Sequence, residues 1–129
     1  MGRLRLKLLL DTHALLWALA GSRSLSKTAR EAIVDPANDV LVSAVSGWEI
    51  AIKKAIGRLD APDDLPGAVT EAGFRERAVT LLDTARLETL PDHHRDLFDR
   101  MLVAQALVDS AAIVSRDTWI ARYPVTIVW

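Results

Sequence analysis

The sequence predicts an α/β protein with a mostly parallel central sheet flanked by helices. Short apolar segments typical of buried strands alternate along the chain with segments of helical length and periodicity. Half of the residues are hydrophobic and 26% are charged, which is the balance of a globular protein. The sequence has neither an internal repeat nor a long linker, so we expect residues 1–129 to form a single domain.

The predicted strands are apolar runs bounded by polar or turn-forming residues. The first run alternates and then becomes wholly apolar, a pattern that favours a strand in the middle of a sheet. In chain order the predicted strands are 4–10, 40–42, 79–82, 111–114 and 125–128.

The predicted helices lie between these strands, and several have residues suited to their ends. Ser26 and Asp96 are suitable N-caps, while Gly21 and Gly57 are placed to end the first and third helices. The predicted helices are 12–20, 26–34, 43–56, 67–77 and 97–108, with shorter helical turns at 83–89 and 117–122.

The composition excludes several classes of site. The chain has no cysteine, which rules out disulfides, thiol catalysis and cysteine zinc sites and suits a cytoplasmic protein. We expect neither a signal peptide nor a membrane span, since the longest apolar run, 14–20, is far shorter than the roughly 20 residues that a span needs. The net charge of −1 argues against a dedicated non-specific nucleic-acid binder. Any phosphate contact must therefore come from a local patch or from metal ions.

Acidic residues lie at the ends of the predicted strands. Asp11 ends the first strand and Asp117 follows strand 111–114, so both should open on the same edge of the sheet. Asp99 lies in the first turn of the preceding helix, from which we expect a loop to carry it across to that edge, and Glu49 lies inside the third helix. Carboxylates gathered in one pocket suit Mg²⁺ or Mn²⁺. Such ions could activate a water and hold a phosphodiester in place of a basic surface.

Each of these acids also has a purely structural interpretation. Asp11 could cap the first helix, and Asp117 could cap the turn that carries Trp119. Glu49 precedes Lys53 by four residues, the favoured orientation for a surface ion pair. Asp99 suits a helix N-terminus, where negative charge is stabilised. No single acid therefore indicates catalysis.

Four local strings together resemble the motifs of the PIN-domain ribonucleases, in particular the VapC toxins of toxin–antitoxin pairs. They are LLLDTHALLW at 8–17, SAVSGWEIAIK at 43–53, DLFDRMLVAQA at 96–106 and VSRD at 114–117. They occur in the order and at the spacing usual for that family. One departure is Leu97, where many relatives have proline, and it affects only the entry to the helix.

The resemblance implies a PIN-like fold and a metal-dependent endoribonuclease that leaves 5′-phosphate and 3′-hydroxyl ends. It implies that the ligands of Mg²⁺ or Mn²⁺ are Asp11, Glu49, Asp99 and Asp117. Four further residues are candidates for a supporting role: Ser115, Thr12, Ser46 and Arg100. Thr12 and Ser46 could equally cap helices, and Arg100, which could orient Asp99 or contact RNA, could equally pair with Asp96, itself interpreted as a cap.

The resemblance also implies partners: an RNA substrate, a VapB-like antitoxin and a second copy of the chain in a homodimer. The antitoxin would pack over the first helices, where Leu15, Leu16, Trp17 and Leu19 suit either a partner groove or the core. Lys53, Lys54 and Arg58 could form a phosphate-facing strip on the third helix or a solvated face.

Two other functions use a similar sheet with a key aspartate after the first strand. A phosphatase of the haloacid dehalogenase type needs an aspartate where His13 stands, and a receiver domain needs paired acids after the first strand and a late lysine. Neither pattern is present. A non-catalytic PIN-like module that binds RNA or protein remains the alternative. The His93–His94 pair is interpreted as a polar turn.

Overall fold

The computed structural model describes residues 5–93 and 95–129. Within these residues the sheet has five strands, all parallel, in the order β3-β2-β1-β4-β5. The strands are β1 (Lys7–Leu10), β2 (Asp39–Ser43), β3 (Arg75–Arg77), β4 (Ala112–Val114) and β5 (Ile127–Val128). The predicted parallel sheet is thus confirmed.

Helices connect the strands and cover both faces of the sheet, as parallel crossovers require. They are α1 (Thr12–Ala20), α2 (Lys27–Val34), α3 (Ala44–Ala55), α4 (Leu65–Glu71), α5 (Leu81–Leu87) and α6 (Leu97–Asp109), followed by a 3₁₀ turn (Ile120–Arg122). The predicted caps are confirmed at Ser26 and Asp96, whose side chains accept the N–H groups of Ala29 and Asp99, each at 3.1 Å. Gly21 ends α1 with a φ of 62°, a left-handed conformation that favours glycine.

Strand β1 lies at the centre of the sheet and separates two apolar cores. Leu8 and Leu10 point into the core that includes α1 and α2, and Leu9 points into the core that includes α6. All three leucines are almost fully buried, which explains why the run is apolar on both faces.

The register of the sheet aligns the carboxyl ends of three strands. Leu10, the last residue of β1, pairs with Val42 of β2 and Val114 of β4. The next residues, Asp11, Ser43 and Ser115, therefore lie side by side at this edge, where Ser43 ends β2. This edge is where a parallel α/β sheet binds ligands.

The prediction was wrong between residues 67 and 82. The predicted helix 67–77 is the shorter α4, and the predicted strand 79–82 includes the start of α5. The third strand is instead Arg75–Arg77, a short polar edge strand without an apolar pattern. Thr80 begins α5 through a capping box with Asp83, and Leu81, which suggested a buried strand, is exposed.

The remaining element boundaries differ from the prediction by at most three residues. Residue 4 of the first predicted strand and His94 of the predicted polar turn lie outside the described residues. His93 packs edge-on against Tyr123, with ring centroids 5.1 Å apart. None of the described helices has the length and apolar character needed to cross a membrane.

Candidate active site

Asp11 stands where β1 passes into α1. Its backbone N–H donates to the Val114 carbonyl at 3.1 Å, and its side chain accepts the Ala14 N–H at 2.8 Å, so the predicted cap is present. The side chain is nevertheless buried. Burial raises the pKa of Asp11, and the charge of Asp117 adds to this, although the bonds from Ser115 and Ala14 act in the opposite direction. Asp11 is therefore a buried carboxylate whose charge the fold compensates only in part.

Ser115 connects Asp11 with Asp117 at the end of β4. Its hydroxyl accepts the Asp117 N–H at 3.0 Å and also forms a hydrogen bond with Asp11. The Asp117 carboxylate accepts the Trp119 N–H at 2.7 Å, which confirms the predicted turn cap. Asp117 is thereby held close enough to Asp11 for their charges to interact.

Helix α3 contributes Glu49 from its second turn. Glu49 is buried, and its Oε1 accepts the Thr12 hydroxyl at 2.5 Å. The Thr12 and Ser46 hydroxyls are hydrogen-bonded to each other at 3.1 Å. On the other side, Lys53 Nζ lies 2.5 Å from Glu49 Oε2. The i,i+4 ion pair predicted for Glu49 is therefore present, but Glu49 is buried and Lys53 only partly exposed, so it is not a surface pair.

Helix α6 brings Asp99 to the same place, although no loop carries it across, so that prediction was wrong. A helix that leads into a parallel strand through a short turn must run antiparallel to it, and only Ser110 and Ala111 separate α6 from β4. The first turn of α6 therefore lies at the carboxyl edge of the sheet. Trp48 packs edge-on against Phe98, with centroids 5.1 Å apart, and joins the helices that carry Glu49 and Asp99.

These elements enclose a cavity of about 600 Å³. It is lined by all four predicted acids together with other polar and aromatic residues: Asp11, Thr12, His13, Trp17, Glu49, Lys53, Asp96, Asp99, Arg116, Asp117, Thr118 and Trp119. We call this space the acidic cavity. Residues far apart in the sequence thus converge at the sheet edge that the strand order favours for a ligand.

The sequence model of the PIN domain matches residues 8–125. The chain belongs to the PIN family. No curated protein sequence matches this PIN domain. It is similar in fold to a chain of the VapBC2 crystal structure from Rickettsia felis bound to a DNA fragment from their promoter, with a TM-score of 0.69, 11% identity, and coverage of 95% of this chain and 97% of the other. It is also similar to a chain of a toxin–antitoxin complex from Klebsiella pneumoniae, with a TM-score of 0.56, 20% identity, and coverage of 85% and 86%.

The candidate supporting residues of this PIN domain occupy two different places. Ser115, Thr12 and Ser46 form hydrogen bonds to predicted acids or to each other, as described above. Arg100 does not line the acidic cavity. It donates to the Pro91 carbonyl at 2.9 Å and to the Tyr123 hydroxyl at 3.1 Å, which connects the segment before α6 with the residue that follows the 3₁₀ turn.

The donor chemistry of the cavity fits a hard divalent cation. Carboxylate oxygens are the ligands that Mg²⁺ and Mn²⁺ prefer, and a cation would stabilise the ionised form of Asp11, whose pKa is raised mainly by burial. Within residues 5–93 and 95–129, no three carboxylate, imidazole or thiolate groups converge as a ready-made ion site. Mg²⁺ commonly uses only one or two protein carboxylates and takes its other ligands from water and substrate phosphate. The residues therefore suit a cation shared with a substrate.

The cavity lining also includes residues that the sequence did not assign to the site, among them His13, Arg116 and Trp119. The guanidinium carbon of Arg116 lies 4.7 Å from the centre of the Trp17 ring, and that of Arg122 lies 4.1 Å from the Trp119 ring. Two of these residues could have been found from the sequence, because each lies close to a predicted metal ligand. His13 follows Asp11 by two residues, and Arg116 immediately precedes Asp117.

Proposed function

We propose that this PIN-family chain is a metal-dependent endoribonuclease toxin of the VapC type, neutralised by a VapB-like antitoxin. The observation that carries the proposal is the convergence of Asp11, Glu49, Asp99 and Asp117 on one cavity at the carboxyl edge of the sheet. The family match and the fold shared with two toxin–antitoxin structures support the same activity class. The cytoplasm is the proposed location, in keeping with a chain that has no cysteine.

The four acids would hold Mg²⁺ or Mn²⁺ together with the RNA phosphate. The bound ion would supply an activated water and would stabilise negative charge on the phosphodiester. Ser115 fixes the relative positions of Asp11 and Asp117, and Thr12 with Ser46 fixes Glu49. Arg116 places positive charge at the wall of the cavity, where an RNA phosphate can approach despite the acids.

Purified protein incubated with single-stranded RNA tests this function directly. Cleavage is expected with Mg²⁺ or Mn²⁺ and is expected to stop when EDTA removes the ion. The acids alone provide no Lewis acid to activate a water or to polarise the phosphate. The products should carry 5′-phosphate and 3′-hydroxyl ends, which ligation and phosphatase sensitivity distinguish from a cyclic phosphate. Cleavage that persists in EDTA would contradict the mechanism. Binding of RNA or of a partner without any cleavage would favour the non-catalytic module instead.

A groove beside the acidic cavity is the proposed antitoxin site. It has a volume of about 640 Å³, lies between α1, α2 and the segment that follows α4, and shares Trp17 with the acidic cavity. A peptide bound in this groove would therefore be separated from the acidic cavity only by the Trp17 side chain. Of the apolar residues of α1 that suit such a contact, Leu15 belongs to the core, while Leu16, Trp17 and Leu19 are half-buried.

Exposed apolar residues on α3 and just after it support the proposed homodimer. Trp48 and Ile52 lie on α3 and Ile56 immediately follows it; the three are spaced by four residues and are all exposed. We expect Ile52→Glu to shift the protein from dimer to monomer, because it places a charge at the centre of this apolar face. Size-exclusion chromatography with light scattering measures the change. Val34→Glu, at an exposed valine on α2, is the matched control and should leave the dimer intact. An unchanged mass for Ile52→Glu would count against this interface.

A further inference from the structure

The basic residues of α3 do not form one strip, because neighbouring lysines face different surroundings. Lys53 lines the acidic cavity, and only about a third of its side chain is exposed (35%). Lys54 points elsewhere: its Nζ donates to the Pro62 carbonyl and to Asp63, each at 3.2 Å. Asp63 is fully exposed, so this second contact is a surface contact. The two lysines therefore form a natural pair for comparison.

Glu49 already has partners on both of its carboxylate oxygens. Oε1 accepts the Thr12 hydroxyl at 2.5 Å, and Oε2 contacts Lys53 Nζ at 2.5 Å. Only 5% of the Glu49 side chain is exposed. A cation that binds Glu49 Oε2 must therefore approach a position that the Lys53 ammonium holds.

The charge of Lys53 also acts on other acids of the cavity. The negative charges of Asp96 and Asp99 interact with its ammonium in addition to that of Glu49. A single positive charge placed among several carboxylates reduces their mutual repulsion. The same charge repels any divalent cation that enters, by Coulomb's law.

We propose that Lys53 competes with a divalent cation for Glu49 and so sets the cation concentration at which the acidic cavity fills. Lys53 is in this sense a positioning residue that acts through Glu49. It stabilises the cation-free acids and is displaced from Glu49 when the cation binds. The inference rests on the proposed function for the kind of cation, but it concerns binding and does not require RNA cleavage.

Calorimetric titration of the full chain with Mn²⁺ alone tests this competition. We expect Lys53→Met to bind Mn²⁺ about tenfold more tightly than the unsubstituted protein, since the competing charge is gone. Lys53→Arg keeps the charge and should stay within about twofold, as should Lys54→Met, whose ammonium lies outside the cavity. Affinity for Lys53→Met that is equal to or weaker than that of the unsubstituted protein would overturn the proposal.

Thermal unfolding provides a second test. A loss of packing would lower the unfolding temperature equally with and without Mn²⁺, whereas a loss of counter-charge would not. In EDTA, Lys53→Met should unfold at a lower temperature than Lys53→Arg, because the acids lose their internal counter-charge. Saturating Mn²⁺ should narrow or reverse this difference, because tighter binding to the folded state stabilises it more. A difference that Mn²⁺ leaves unchanged would indicate a packing role and overturn the proposal. Should Lys53→Met not fold, Lys53→Gln removes the same charge and is held to the same outcomes.

The RNA assay distinguishes failure of this inference from failure of the proposed function. Metal-dependent cleavage by the unsubstituted protein, with no gain in Mn²⁺ affinity for Lys53→Met, would leave the nuclease function standing and remove the competition. A gain in affinity without any cleavage would support the competition and contradict the nuclease.

Discussion

Replacing Asp11 or Asp99 by asparagine is expected to reduce metal-dependent RNA cleavage by more than about 100-fold. Loss of a residue that only supports a metal ligand already costs about 10–100-fold, and loss of a ligand should cost more. Asparagine keeps the size of the side chain but removes the negative charge that a divalent cation requires. The measurement is the initial rate of RNA cleavage at saturating Mg²⁺ or Mn²⁺.

Two controls accompany these substitutions. Asp60→Asn changes an exposed acid outside the cavity and should retain full activity. The melting temperature of Asp11→Asn in EDTA should be no lower than that of the unsubstituted protein. Asparagine can still accept the Ala14 N–H as a cap, and it removes a buried charge. Activity that survives in both Asp11→Asn and Asp99→Asn would contradict the proposed set of ligands.

The direction in which ionised Asp11 changes the stability of the fold follows from its raised pKa. A carboxyl whose pKa is higher in the folded than in the unfolded state contributes stability that is fully present below the unfolded value. That contribution is lost as the pH rises through the folded value. At neutral pH the ionised Asp11 therefore destabilises the cation-free fold, and asparagine relieves this. The site would thus trade stability for the ability to bind a cation.

Replacing Arg77 by methionine is expected to destabilise the fold by about 3–5 kcal/mol, the largest stability effect that we predict. Arg77 donates to both carboxylate oxygens of Asp83, at 2.8 and 2.6 Å, and its Nε donates to Asp109 at 2.7 Å. Asp83 is fully buried, so removal of Arg77 leaves an uncompensated charge inside the protein. Urea unfolding at neutral pH measures the loss.

The matched control for this substitution is Arg75→Met on the same strand. Arg75 pairs with Asp39 but is largely exposed, so its loss should cost less than about 1 kcal/mol. Equal losses for the two variants would contradict the assignment of Arg77 as the counter-charge of a buried acid.

Acid pH should narrow the difference in the free energy of unfolding between Arg77→Met and the unsubstituted protein. Burial alone would raise the pKa of Asp83, but the hydrogen bonds from Arg77, Thr80 and Gln105 outweigh it and hold this pKa below its usual range. The stability that depends on ionised Asp83 is therefore present above the unfolded pKa of about 3.9 and is lost as the pH falls through the depressed folded value. Without Arg77, burial would instead raise the pKa of Asp83, so acidification would relieve its charge. A difference in the free energy of unfolding that grows on acidification would contradict this role of ionised Asp83.

Much of the fold could be predicted because its signals are local. The apolar runs of β1 and β4 require burial on both faces, and the caps at Ser26 and Asp96 are short-range contacts. Segment 67–82 could not be predicted because β3 is a polar edge strand of three residues. Its position depends on pairing with β2, a contact between residues more than 30 positions apart. The local sequence pattern does not predict such long-range pairing.

The sequence by itself determined the parallel α/β architecture, the placement of Asp11 and Asp117 at strand ends, and the four motifs that identify a PIN domain. Tertiary structure alone decided how α6 delivers Asp99, and that Glu49 is buried where it pairs with Lys53 in the acidic cavity. It also decided that Lys53 and Lys54 have different partners. The physical reason is that a strand end is specified by its neighbours in the chain, whereas burial depends on which distant elements pack over a side chain. The acidic cavity is such a place, because it forms only where the carboxyl ends of β1 and β4 meet α1, α3 and α6.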